Sequence, residues 1–176
     1  MTFRTRLLIV LAVVSSGIIG IAVATPIVGL KFANILALGT SNTEIAERAR
    51  VALPEVNSST GEEQEDEWSA KFITTGPSNF IVQDASYNPG GHTGWHSHPG
   101  ILLISVTEGS LEWYDSQCLK HVYNTGDTIT ENTSVHFFRN VGTVNVRIMV
   151  TYVIAKGQPR RIDQPAPACA AALGLD

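Results

Sequence analysis

The sequence predicts an all-β fold, a sandwich or jelly roll. Two observations carry that expectation. From Trp68 onward, short runs rich in β-branched and aromatic residues alternate with turn signals at close spacing, and no helical period of useful length interrupts them. Glycine and proline together number 23 in 176 residues, which suits a turn-rich β architecture. At 44% hydrophobic residues, the chain is one domain's worth, long enough for a single buried core.

The N-terminal stretch carries a targeting pattern. Arg4 and Arg6 form a basic region, Leu7 to Val14 is apolar, and Ala22-Val23-Ala24 is a small-residue cleavage signal. Residues 1–24 are therefore expected to be a signal peptide, cleaved after Ala24, with the protein exported to the periplasm or secreted. The alternative is an uncleaved membrane anchor through residues 7–24, an apolar stretch of 18 residues. Contact with a membrane is expected only in that case. Cleavage removes Arg4 and Arg6 and takes the formal charge from −4 to −6. A chain this acidic carries no nucleic-acid footprint.

Residues 25–67 read as an N-terminal arm followed by a linker. Thr25 to Gly39 holds short apolar runs that can pair at a sheet edge. Thr43 to Leu53, with Glu44, Glu47, Arg48 and Arg50, has weak helical character and stops at Pro54. Asn57 to Glu67 (NSSTGEEQEDE) is a solvated acidic linker; it lacks the spaced Asp/Asn/Gly pattern of a calcium loop.

Residues 68–157 form the expected barrel. The strand candidates are Phe72–Thr75, Phe80–Tyr87, Ile101–Thr107, Leu111–Asp115, Lys120–Tyr123, Thr128–Thr130, Val135–Arg139 and Val144–Ile154. Turn signals such as Gly76-Pro77, Asn88-Pro89-Gly90, Glu108-Gly109 and Gly126-Asp127 separate many of them. Residues 158–176 are a tail expected to wrap the barrel. The two cysteines, Cys118 and Cys169, read as a disulfide in an exported chain, with two free thiols as the alternative. The bond ties the tail to the body.

The chemistry concentrates between Gly90 and Gly109 (GGHTGWHSHPGILLISVTEG), where three of the five histidines lie within seven residues. His96 and His98 are two apart, so on an extended strand both imidazoles point to one face, which is half of a metal site. A lone His136 follows later, ten residues after Gly126 and four before Asn140.

Gly90, His96, His98 and Gly109, then Gly126, His136 and Asn140, are similar to the two motifs of the cupin superfamily. The second motif has one residue fewer before its histidine, and Asn132 where proline is usual. The resemblance covers Phe80 to Val153, and the GWHSHPG stretch and two cysteines look like small exported bacterial cupins. It implies a double-stranded β-helix, the jelly-roll cupin barrel, with a metal site inside one mouth. It also places Leu102 where the family has a glutamate ligand, and nothing acidic lies from Pro99 to Thr107. The implied ligands are therefore His96, His98 and His136, holding one divalent transition metal ion: iron, manganese, nickel, copper or zinc. Without the carboxylate, the site should be more positive and favour anionic or chelating ligands.

His92 is open between a ligand, a pocket residue and a structural turn histidine. Trp95, of opposite parity to His96, is expected to pack outside the barrel or under a loop. His121 reads as a surface histidine, and Tyr114, Met149 and Tyr152 as core. The resemblance implies a metal-binding protein, with a dioxygenase acting on a small chelating molecule as the first reading. A non-catalytic metal- or small-ligand-binding cupin and a metal-dependent isomerase or lyase are the alternatives. Homodimers are frequent in the family.

Overall fold

A computed structural model describes residues 24–52 and 67–175. Most of the targeting segment and of the acidic linker lies outside the described residues. The strands are β1 (Val28–Ser41), β2 (Ile45–Ala52), β3 (Glu67–Thr74), β4 (Ser78–His92), β5 (His96–Ser97), β6 (Gly100–Glu108), β7 (Ser110–Tyr114), β8 (Lys120–Asn124), β9 (Thr128–Glu131), β10 (Phe137–Arg139), β11 (Val146–Ala155) and β12 (Ile162–Asp163). One 3-10 turn, Ala171–Leu173, lies in the tail.

The main sheet runs β8-β7-β10-β4-β11-β6-β9, antiparallel throughout, with β1 added along β4. Its two end strands, β8 and β9, are consecutive in the chain. The turn between them is fastened to β6, through Gly126 N–H to Val106 O and Val106 N–H to Asp127 O. The sheet thus curls almost shut on itself, the jelly-roll barrel expected from the sequence.

Period-two alternation explains which residues fill it. On β6, Leu102, Ile104 and Val106 are buried while Ile101 and Leu103 face out; on β11, Val146, Ile148, Val150, Tyr152 and Ile154 are buried. Tyr152 pairs with Leu102 and Val150 with Ile104, so the two strands stack their inward sets. Each such aliphatic side chain contributes about 1.5–3 kcal/mol by burial. Outside, Arg147 of β11 grips Asp84 of β4 through both carboxylate oxygens (2.9 and 2.7 Å).

Two glycines permit close approaches. Gly109 turns β6 into β7 with φ +78°, and a Cβ there would lie 2.6 Å from Asn145 O. Gly94, φ +67°, lets the loop before β5 lie against Thr25, whose carbonyl a Cβ would overlap.

A second apolar cluster sits beneath the tail. Trp95 is fully buried against Phe137, Tyr114, Ala170 and Leu175, and its indole N–H donates to Leu175 O (2.7 Å). Trp95 is thus outside the barrel, as its parity indicates. The Cys118–Cys169 disulfide bridges 51 residues and fastens this tail to the segment after β7.

One expectation is corrected. Within the stretch read as weakly helical, Ile45–Ala52 is strand: β2 pairs antiparallel with β3 from Ile45↔Thr74 to Ala52↔Glu67. Eight residues without an apolar stripe have little to stabilise a helix, whereas β3 offers Trp68, Phe72 and Ile73 as a pairing strand. Glu67, read as linker, opens β3 and meets Arg50 at 3.5 Å.

Candidate metal centre

β5 and the residue after it, the last residue of β9 and the residue before β10 bring four side chains to one point. They are His96, His98, Glu131 and His136, all buried, with their ligand atoms within 4.8 Å of one another. His96 and His136 also exchange both backbone hydrogen bonds (3.0 and 2.8 Å), which sets their rings 4.3 Å apart. His98 follows two residues on, on the same face as His96.

Each imidazole is fixed in one tautomer. The Nδ1–H of His96 donates to Gly94 O (3.0 Å), that of His98 to Arg160 O (2.6 Å) and that of His136 to Ser134 O (2.9 Å). A carbonyl only accepts, so each Nδ1 carries the proton and each ring turns its Nε2 toward the cluster. The Nε2 atoms of His98 and His136 each lie 3.2 Å from Glu131 Oε2, yet neither makes a hydrogen bond. Burial pushes the His96 imidazole well below its ordinary value, keeping it neutral.

The centre is therefore a group of buried acceptors facing one another with no donor between them. That arrangement suits a cation, and three imidazoles with one carboxylate suit a divalent transition ion.

Trp113 of β7 orients the carboxylate. Its indole N–H donates to Glu131 Oε1 (2.9 Å), leaving Oε2 toward the histidines, and its ring stacks on His136 at 5.9 Å. Above the cluster lies a cavity of about 340 Å³. Leu102, Ile104, Ile148 and Val150 form its apolar wall, and Gln83 and Tyr152 its polar one. The Tyr152 ring meets His98 at 5.8 Å, and its hydroxyl donates to Gln83 Oε1 (3.3 Å). Burial pushes that phenol up to about 12, so it remains a donor.

The expected three histidines are brought together. The expectation of a centre without a carboxylate is corrected: Glu131 supplies one, and with it falls the argument for an unusually positive site. Glu131 is paired with Leu102 across β9 and β6. Its signal was present in the sequence. Thr128–Thr130 reads as a strand, and one more residue puts Glu131 on the inward face of Ile129, the alternation the structure shows.

His92 does not join the cluster. It stacks on Phe137 at 5.2 Å, accepts the Gly94 N–H through Nδ1 (3.2 Å), and lines a separate depression with Gly90, Arg139 and Leu175. It ends β4, paired with Arg139 of β10. Asn140 is a clamp, its amide donating to Tyr87 O and Val144 O (3.1 and 2.8 Å). His121 is exposed on β8, stacked on Tyr123.

The Cupin domain family model matches residues 84–152, from β4 through most of β11, and includes all four clustered side chains. Over residues 84–152 the chain matches the cupin superfamily. No curated protein sequence matches the chain. Among solved structures it is similar to a conserved protein with a double-stranded β-helix domain from Klebsiella pneumoniae (22% identity, 48% of this chain and 75% of that one, TM-score 0.42). It is also similar to the polyketide cyclase RemF from Streptomyces resistomycificus (20%, 53% and 68%, 0.43) and a cupin domain from Bordetella pertussis (20%, 43% and 82%, 0.39).

Proposed function

We propose that this cupin is an exported metal-dependent enzyme, a dioxygenase acting on a small chelating molecule. One observation carries the metal: the buried Nε2 atoms of His98 and His136 face Glu131 Oε2 at 3.2 Å with no hydrogen bond between them. His96, His98, His136 and Glu131 would hold the ion. A redox-active divalent ion held there supplies the electron-transfer chemistry of oxygenation.

The chain's own residues bind and shield. The aliphatic wall excludes water, and Tyr152 and Gln83 orient a ligand by hydrogen bonds. Among the described residues, no carboxylate other than Glu131, and no lysine, lines the cavity. Oxygenation at a metal makes less demand on a protein base than isomerase or lyase chemistry does, and this favours it. The same lack of a base supports a second reading, a cupin that holds a metal or small ligand without turnover. Export is supported by the targeting pattern and by the Cys118–Cys169 bond. Among the described residues no helix is long and apolar enough to cross a membrane.

Metal analysis of residues 25–176, purified without chelator, tests the site. About one ion per chain, lost in a His96→Ala, His98→Ala double variant, is expected. No ion after reconstitution with each candidate metal overturns it. Oxygen uptake with a panel of diketones, thiols and phenols then separates the two readings, since a binding module consumes none.

A further inference from the structure

Two arginines line the cavity, and they are placed differently. Arg161 is compensated: its Nε donates to Asp163 Oδ1 (2.5 Å) and its Nη2 to Thr93 O (2.7 Å). Arg160 makes no ion pair among the described residues. Its Nη1 donates to the neutral Gln83 Oε1, and its guanidinium carbon stands 5.9 Å from the Tyr152 ring. The same ring meets His98 at 5.8 Å. The guanidinium and the metal centre are therefore one aromatic ring apart along a single cavity wall.

We propose that the cavity takes a small organic acid, one end chelating at the histidine–glutamate centre and a carboxylate at the other end pairing with Arg160. This rests on the metal reading for its chelating end only. A half-buried guanidinium with only a neutral acceptor is poorly compensated for the water it has lost, and an incoming carboxylate restores the balance. Arginine's planar fork of donors suits a carboxylate held by two bonds, and only one of its nitrogens is used by Gln83. The aliphatic wall between the two polar ends fits a short hydrocarbon spacer, and about 340 Å³ is at the small end of ligand clefts. Orienting His98 does not explain this side chain, because Arg160 does that through its backbone carbonyl (2.6 Å). Any residue at 160 supplies the same carbonyl.

The test is calorimetric binding of 2-oxoglutarate and 2-oxoadipate against their distal amides, to metal-free and manganese-loaded protein. The wild type is expected to prefer each acid over its amide by about tenfold or more in both forms, a difference of one charged contact. Arg160→Gln should bring the ratio to about one while metal per chain stays unchanged, and Arg160→Lys should restore part of it. Equal binding of acid and amide by the wild type overturns the proposal. So does a preference that survives Arg160→Gln, or failure of either acid to bind at millimolar concentration. Failure of the metal reading has a different signature: manganese tightens neither probe, while the acid-over-amide preference persists.

Discussion

Glu131 stands directly opposite Leu102 in the β9–β6 ladder, so the two side chains share the inner face of the barrel. The strand that carries leucine where the cupin pattern has a glutamate is paired with one that carries the carboxylate. The carboxylate of this centre comes from β9.

That relationship predicts an exchange. Glu131→Leu should lower metal affinity by a hundredfold or more, about 3 kcal/mol, and Leu102→Glu added to it should recover much of the loss. Metal titration of the wild type, the single variant and the pair reads this. A pair no better than Glu131→Leu would show that the centre depends on β9 for more than a carboxylate.

Trp113 should matter although it offers no ligand atom. Trp113→Phe keeps the ring over His136 but removes the donor to Glu131 Oε1. Metal affinity is expected to fall 10- to 100-fold with little change in the far-ultraviolet circular dichroism. His92→Ala, by contrast, should leave metal content unchanged, because His92 faces the separate depression beside Arg139.

The disulfide should be a major support. In the chain-entropy picture, closing a 51-residue separation contributes roughly 4 kcal/mol. Cys169→Ser is expected to lower the melting temperature by well over 5 °C and to expose Trp95, seen as a red shift of tryptophan emission. An unshifted melting point would show that the tail is held by the Trp95–Leu175 contact alone.

Acid stability should depend on Glu112. Burial would raise this carboxyl, but Tyr114, Lys120 and Arg139 all donate to it and hold it at about 2. Its pKa is lower in the folded chain than in the unfolded one, so its contribution is complete above the ordinary carboxylate value. That contribution fades as pH falls from the ordinary glutamate pKa, about 4.5, toward about 2. Glu112→Gln should lower stability at pH 7 and flatten the decline over that window, as melting temperatures across pH would report.

What the sequence makes legible is what depends on neighbours in the chain. Alternation along Ile101–Thr107 and Val144–Ile154 marks β6 and β11, and the two-residue step from His96 to His98 places both on one face. What it hides depends on pairing. Glu131 becomes a candidate only when β9 is laid beside β6. The stretch at Ile45–Ala52 becomes a strand because β3 is there to receive it. His92 lies close to His96 in sequence, but the Gly94 turn sends it to the other side of the wall.

The ring of His98 takes its orientation from the carbonyl of Arg160, 62 residues later. A nascent chain thus has its imidazoles long before it has them aimed. The cage is finished only once the segment after β11 has been made and laid down, near the stage at which Cys169 can find Cys118. Assembly of the ligand set and oxidation of the thiols are thereby neighbouring steps in maturation. An ion held by all four side chains in these orientations therefore requires the segment after β11 to be in place.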